Sequence, residues 1–412
     1  MSTNTKTNKR KILNDPIYGF ISILNETAFD IIEHPYFQRL RRISQLGLTY
    51  LVYPGAYHTR FHHAIGAAHL MQRAISVLRS KGVEISEEEG EAVYYAILLH
   101  DIGHGPFSHA LEHSIVNNVS HEKISILFMR KLNEEFEGKL DLAITIFQNK
   151  YPKKFLHQLI SSQLDMDRMD YLRRDSFYSG VSEGIIGVDR IISMLNVCND
   201  QLVVEAKAVY SIEKYIMART LMYWQVYLHK TVLVAEFTLL NILKRAKEIA
   251  GNGAELFSSS ALKHFLYTKI THQTFLDDPQ TLDLFARLDD FDIMGAIKEW
   301  QYHSDPILSQ LSKDLIQRNL SKIEIQNEPF DKQYIENLSH KIKSHFGLSE
   351  KELNYYLQIN SISVASYDNS RDKINLLYKD GSVKEITDVA DQLNMGVMVA
   401  RKEKHFVFYP KI

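Results

Sequence analysis

The amino-acid sequence predicts a mainly α protein with a short N-terminal β-hairpin and a small α+β region towards its C-terminal end. Three observations carry this. Apolar residues recur at helical spacing from about Glu26 to residue 250. The run Ala92-Val93-Tyr94-Tyr95-Ala96-Ile97-Leu98-Leu99 is long enough for a buried helix. The tail instead alternates over Ile362–Tyr367, Ile374–Tyr378 and Val383–Ile386, with Asp380-Gly381 as a hairpin turn signal.

Taken in order, residues 1–9 read as a disordered start, and Ile12–Ile23 as two short strands around Pro16 and Gly19. The next helix directs Phe37, Leu40 and Ile43 inward and Gln38, Arg39, Arg41 and Arg42 outward, a solvated basic face. Another runs from His62 to about Leu78, and the apolar helix before His100 follows. Residues 155–174, 188–196 and 209–248 are predicted helical, and the aromatic stripe Met222–Tyr227 reads as helix packing rather than a nucleobase platform. Gly251–Ser260 resembles a linker, amphipathic helices continue to about Asn319, and His405–Tyr409 is a final strand. The expected organisation is a core at 10–250, a helical extension at 251–350 and a small α+β region at 351–412.

Composition narrows the function. Of 412 residues, 45% are hydrophobic and 24% charged, which leaves ample material for a core. A net charge of −2 gives no electrostatic reason to expect a nucleic-acid or membrane surface. The lone Cys198 excludes an intrachain disulfide and suits a reducing compartment. No apolar run reaches the length of a membrane span, and Met1–Lys11 lacks a signal-peptide core. A soluble, cytoplasmic protein is expected.

The chemistry concentrates in His100-Asp101-Ile102-Gly103-His104-Gly105-Pro106-Phe107-Ser108-His109. His100 and His104 lie one turn apart and project over one face, while Gly103 and Gly105 break the helix and leave backbone open to a ligand. A core histidine with a helix-ending aspartate would explain an isolated pair; two further sources of ligands weigh against it. His63, in Tyr57-His58-Thr59-Arg60-Phe61-His62-His63, can point at the core from the first turn of its helix, with His58, His62 and His69 as surface or supporting histidines. In Asp165–Asp175, the residues Asp167, Asp170, Tyr171 and Arg174 share one helical stripe. A charge run is usually a solvated face, but Met166, Met169, Tyr171 and Leu172 interleave this one. His63, His100, Asp101 and Asp167 together make a mixed nitrogen–oxygen donor set that leaves room for water on a six-coordinate ion. It suits Mn²⁺, Fe²⁺ or Mg²⁺, with Zn²⁺ or Ni²⁺ as alternatives. Such a centre activates water and polarises a phosphoryl oxygen, and Arg60, Arg168, His104 and His109 supply cations for a polyphosphate. Hydrolysis of a phosphate ester or anhydride follows.

These motifs, with Asn14-Asp15-Pro16-Ile17, Phe37-Gln38-Arg39-Leu40-Arg41, Gln45-Leu46-Gly47 and Pro54-Gly55-Ala56, resemble the deoxynucleoside triphosphate triphosphohydrolases of the HD superfamily, strongly over residues 10–250. The resemblance implies an HD-domain helical core and cleavage of a dNTP to deoxynucleoside and triphosphate. It implies His63, His100, Asp101 and Asp167 as metal ligands, His121 with Glu112 as the active-site dyad, and His109 as acid toward the leaving oxygen. Arg60, His104, Arg168 and Tyr171 match phosphate contacts, Gln45 and Asp175 contacts to the sugar 3′-hydroxyl, and Leu46 a wall against the 2′ position. The resemblance further implies a homo-oligomer, dimer or tetramer, with an activating nucleotide such as dGTP near Lys11, Asn14, Glu33, Gln38 and Arg41. This chain has Glu112 and Arg168 where animal members have Asp and Lys, and Gln225 where they have a phosphate-binding Arg. Two other readings stand beside the dNTPase: an HD phosphohydrolase for another nucleotide or a phosphodiester, and a non-catalytic nucleotide sensor.

Overall fold

The structure, a computed structural model, describes residues 11–107, 110–111, 114–116, 119–364, 367–368, 372–391 and 401–411. It is mainly helical, as predicted. The hairpin pairs Ile12–Asp15 with Gly19–Ser22, and Asp15 Oδ1 accepts the backbone N–H groups of Ile17 and Tyr18 to set its turn. Asn25 caps the helix Glu26–Glu33, and a single turn, Pro35–Gln38, tightens into the 3₁₀ segment Arg39–Arg42. That tightening corrects the predicted basic face. Phe37, Leu40 and Ile43 are buried as expected, but so is Arg39, which donates to the carbonyls of Ile102 and Leu288 and lies between the rings of Phe128 and Phe285. Burial lowers its guanidinium to about 9.

The long helix Arg60–Ser80 is the centre of the core and packs against Glu87–Leu99 on one side and Met166–Ser179 on the other. Its small residues Ala64, Gly66, Ala67 and Ala68 are all buried and allow that close approach. Glu87–Leu99 starts with a Ser86/Glu89 capping box and ends at His100.

Two predicted helices are interrupted. Residues 155–174 divide into Lys154–Gln158 and Met166–Ser179, because Asp165 accepts the Arg168 N–H and so starts a new helix. The 209–248 stretch divides into Val209–Met222, a π-helical turn Tyr223–Tyr227, and Lys230–Gly251 capped by His229. The segments on either side of the break meet at 55°. The predicted helix 188–196 holds over Val188–Ser193, but its last two residues begin a strand: Leu195–Cys198 pairs with Gln201–Glu205 across Asn199-Asp200, both at positive φ. Asn and Asp tolerate the positive φ that a two-residue hairpin turn requires.

Beyond the coil that follows Gly253, five short helices extend from Ser260 to Ile316. Lys402–Tyr409 runs between Lys322–Gln326 and Gln358–Val364, antiparallel to both, while Asn375–Leu377 and Val383–Glu385 extend the Leu195–Glu205 hairpin. No single described helix is long and apolar enough to cross a membrane.

Candidate active site

Three segments meet at one point. The first turn of Arg60–Ser80 supplies His63, the C-terminal end of Glu87–Leu99 supplies His100 and Asp101, and the first turn of Met166–Ser179 supplies Asp167. His63 Nε2 lies 3.1 Å from Asp167 Oδ1 and 3.9 Å from Asp101 Oδ2, and His100 Nε2 lies 3.3 Å from Asp101 Oδ1 and 3.6 Å from Asp167 Oδ1. The four predicted ligands therefore converge. His63, His100 and Asp101 are buried, whereas the Asp167 side chain is 31% exposed and opens to solvent.

The far side of each imidazole fixes its tautomer. His63 Nδ1 donates to Asp170 Oδ2 (2.8 Å), and His100 Nδ1 donates to the Ile97 carbonyl (2.6 Å). The two Nε2 atoms then face each other across 3.3 Å, turned toward Asp101 and Asp167, where each could ligate a cation. Burial pulls the His63 imidazole down, but Asp167 and Asp170 outweigh it and push it up to about 10. Burial raises Asp167, yet His100 and His63 hold it well below the usual carboxylate range. His63, His100 and Asp101 could hold a metal, and Asp167 Oδ1, close to both imidazoles, could complete the set once the histidines are neutral.

A second layer braces the first. Arg174 is fully buried and bidentate on Asp170, at 2.9 and 3.0 Å, and it also reaches Asp15 Oδ2 at 2.8 Å. Gly66 makes room for this pair, since a Cβ there would lie 2.0 Å from Asp170 Oδ1. Ser125 Oγ donates to the His100 carbonyl and accepts the Gly103 N–H, and a Cβ on Gly103 would come within 2.2 Å of the His121 carbonyl.

Above the cluster lies a cavity of about 640 Å³, lined by Gln45, Leu46, Arg60, Asp101, His104, His121, Asp167, Arg168, Tyr171 and Asp175 among others. Pairing of Ser44 with Thr59, and the bond from Gln45 N–H to the His58 carbonyl, hold Gln45 and Arg60 side by side. Arg60 Nη1 donates to Asp101 Oδ2 (2.6 Å), and His104 Nε2 is 3.2 Å from Asp101 Oδ1. His104 stacks on His121 at 3.8 Å, and His121 Nε2 is 3.3 Å from Glu122 Oε1. Arg168 is steadied by the Ser162 carbonyl and Asp165. Asp175 takes His58 Nε2 on one oxygen (2.7 Å) and the Tyr227 hydroxyl on the other (2.8 Å). His58 is thus a buried supporting histidine, and Gln45 Oε1 is buried without a hydrogen-bond partner among the described residues.

Of the predicted catalytic residues, His109 and Glu112 lie outside the described residues. Three of the predicted regulatory residues, Glu33, Gln38 and Arg41, lie together. Arg41 Nε donates to Gln38 Oε1 and stacks over Phe61 at 3.5 Å, with Glu33 close enough to act on its charge. Lys11 lies over Phe29, and Asn14 is exposed on the hairpin. No hydrogen bond or ion pair among the described residues joins these two to the Arg41 group.

Sequence reading missed Tyr223 and Tyr227, which line the cavity instead of packing only as core, because the π-helical turn redirects them. Asp170 was visible as a stripe-mate of Asp167, but nothing local marked it as the partner of His63. Glu236, another cavity residue, carried no motif at all.

A cluster able to hold a cation beneath arginine and histidine is what a metal-dependent phosphohydrolase needs. Residues 60–175 match the HD domain, and residues 186–263 match the HD associated region. The chain belongs to the HD-domain phosphohydrolase family. The crystal structure of a phosphohydrolase from Bacteroides thetaiotaomicron is 52% identical, covers 98% of this chain and 100% of that one, and superposes with a TM-score of 0.94. Uncharacterized protein YwfO of Bacillus subtilis is 33% identical over 99% of this chain and 94% of its own length. The deoxynucleoside triphosphate triphosphohydrolase SAMHD1 homolog of Dictyostelium discoideum is 33% identical over 58% of this chain and 50% of its own length. This chain thus spans about half of that last relative.

Proposed function

We propose that the protein hydrolyses deoxynucleoside triphosphates to the deoxynucleoside and inorganic triphosphate. Water adds to the α-phosphorus, the bond from that phosphorus to the sugar 5′-oxygen breaks, and the 5′-oxygen takes a proton. His63, His100, Asp101 and Asp167 hold Mn²⁺, Fe²⁺ or Mg²⁺, which when bound supplies charge to polarise an α-phosphate oxygen. His121, with Glu112, orients and deprotonates the attacking water, and His109 protonates the leaving oxygen. Arg60, Arg168, His104 and Tyr171 bind the phosphates. Gln45 and Asp175 bind the 3′-hydroxyl, and Tyr171 and Leu46 crowd the 2′ position. A ribose 2′-hydroxyl left there without a partner costs about 1–3 kcal/mol.

The observation that carries this reading is the make-up of the cavity, whose about 640 Å³ suits a nucleotide. Arg60, His104, His121 and Arg168 line it beside the metal ligands, while Gln45, with an unpartnered amide oxygen, Leu46, Tyr171 and Asp175 offer a pocket for a sugar. The likeness to a named dNTP triphosphohydrolase supports the same reading. Assembly into a homo-oligomer, with an activating nucleotide bound near Lys11, Asn14, Glu33, Gln38 and Arg41, belongs to the proposal; the Gln38–Arg41 contact beside Glu33 supports it. The test is a screen of the four dNTPs and four rNTPs, singly and in pairs, with Mn²⁺ or Mg²⁺, and products separated by chromatography. Triphosphate and deoxynucleoside from dNTPs alone are the expected products. Pyrophosphate, monophosphate or equal turnover of rNTPs would replace this reading with another HD chemistry.

A further inference from the structure

The helix Lys230–Gly251 turns Leu233, Glu236 and Leu239 toward the cavity at three-residue spacing, and Leu228, at the helix break, joins them. Glu236 is the only carboxylate in this apolar group. Its Oε1 approaches Gly47, where a Cβ would sit 3.7 Å away, and no side chain among the described residues bonds to it. Burial pushes its carboxyl up to about 7. Glu236 thus lines the same cavity as the metal ligands, on a different helix, with acceptor capacity unused by the described side chains.

Resting on the dNTPase reading above, we propose that Glu236 is the specificity-determining residue for the nucleobase, accepting N–H donors from its edge. Triphosphate and sugar occupy the part of the cavity beside the metal ligands, so the base falls among Leu46, Leu228, Leu233 and Leu239, where Glu236 is the available carboxylate. Guanine alone among the four bases offers two adjacent N–H donors, the ring N1–H and the exocyclic amino group. The two oxygens of one carboxylate match both, and that pairing offsets the burial of its charge. Adenine and cytosine offer one amino donor on that edge, and thymine one ring N–H.

The test compares dGTP with 2′-deoxyinosine triphosphate, which lacks the exocyclic amino group. The full-length protein and its Glu236→Gln and Glu236→Ala variants are measured for turnover with Mn²⁺ and for equilibrium binding in EDTA. Wild type is expected to favour dGTP over deoxyinosine triphosphate by about tenfold, and both variants to bring that ratio within about twofold while still turning over dATP. A wild-type ratio near one, or a ratio unchanged in both variants, overturns the proposal. If no nucleotide yields triphosphate but the binding ratio still depends on Glu236, the hydrolase reading falls and the base-reading role stands.

Discussion

His63 is gripped from both sides, and that determines what the centre can bind. Asp170 holds its Nδ1 proton, which turns Nε2 toward Asp167 Oδ1 and, 3.3 Å away, His100 Nε2. Arg174 in turn holds Asp170, and it sits fully buried between Asp170 and Asp15. Asp170→Asn keeps the shape of this brace and removes its charge. Metal affinity is expected to fall about 10- to 100-fold, as for other lost partners of a ligating histidine, and Arg174 is left partly uncompensated. Metal titration followed by calorimetry checks this; an unchanged affinity would mean that Asp170 does not tune the ligand. The histidines and Asp167 were legible in the sequence because a helix places neighbours at fixed offsets. Asp170 was less so, since its role is defined by a residue on another helix more than a hundred positions away.

At the scale of elements, the site depends on how closely two helices approach. Arg60–Ser80 and Met166–Ser179 cross at Gly66, which sits against the Asp170–Arg174 pair. Gly66→Ala would put a methyl 2.0 Å from Asp170 Oδ1. Overpacking of that kind typically costs about 1–3 kcal/mol, so the melting temperature and the metal content should fall together. Loss of stability with full metal content would separate the helix crossing from the site. The same scale explains what sequence reading lost. Periodicity showed a helical stretch over 209–248 but not the π-helical turn within it, because a single inserted residue barely disturbs the pattern. That turn and the 55° bend after it bring Tyr223, Tyr227, Leu233 and Glu236 into one cavity. Asp165 likewise looked like one more member of a charge run, yet it is the cap that sets where Asp167 begins its turn.

For the molecule as a whole, the helices after residue 260 hold the cavity wall in place. Asp283 accepts from Tyr36 and Lys131, Asp289 pairs with Arg42, and Asp290 Oδ2 accepts the Ser44 N–H beside Gln45. Burial raises the Asp290 carboxyl from 3.8 to about 6. Below the unfolded value the group is neutral in both states and costs nothing. As pH rises from there to about 6 the unfolded chain ionises first, so stability falls, and above about 6 the whole cost remains. Asp290→Asn keeps an acceptor for Ser44 and should make the protein more stable at pH 7.5 by about 1–3 kcal/mol, with the difference shrinking toward pH 5. Urea unfolding at the two pH values measures it; a variant less stable at pH 7.5 would show that the ionised carboxylate is needed.

The metal content of the purified protein, wild type beside His100→Ala, both loaded with Mn²⁺ and freed of excess, tests the convergence of His63, His100, Asp101 and Asp167 most directly. The expected result is about one divalent cation per chain in wild type and about a tenth of that or less in the variant. Equal metal in the two proteins, or none in wild type, would contradict a four-ligand centre at this position.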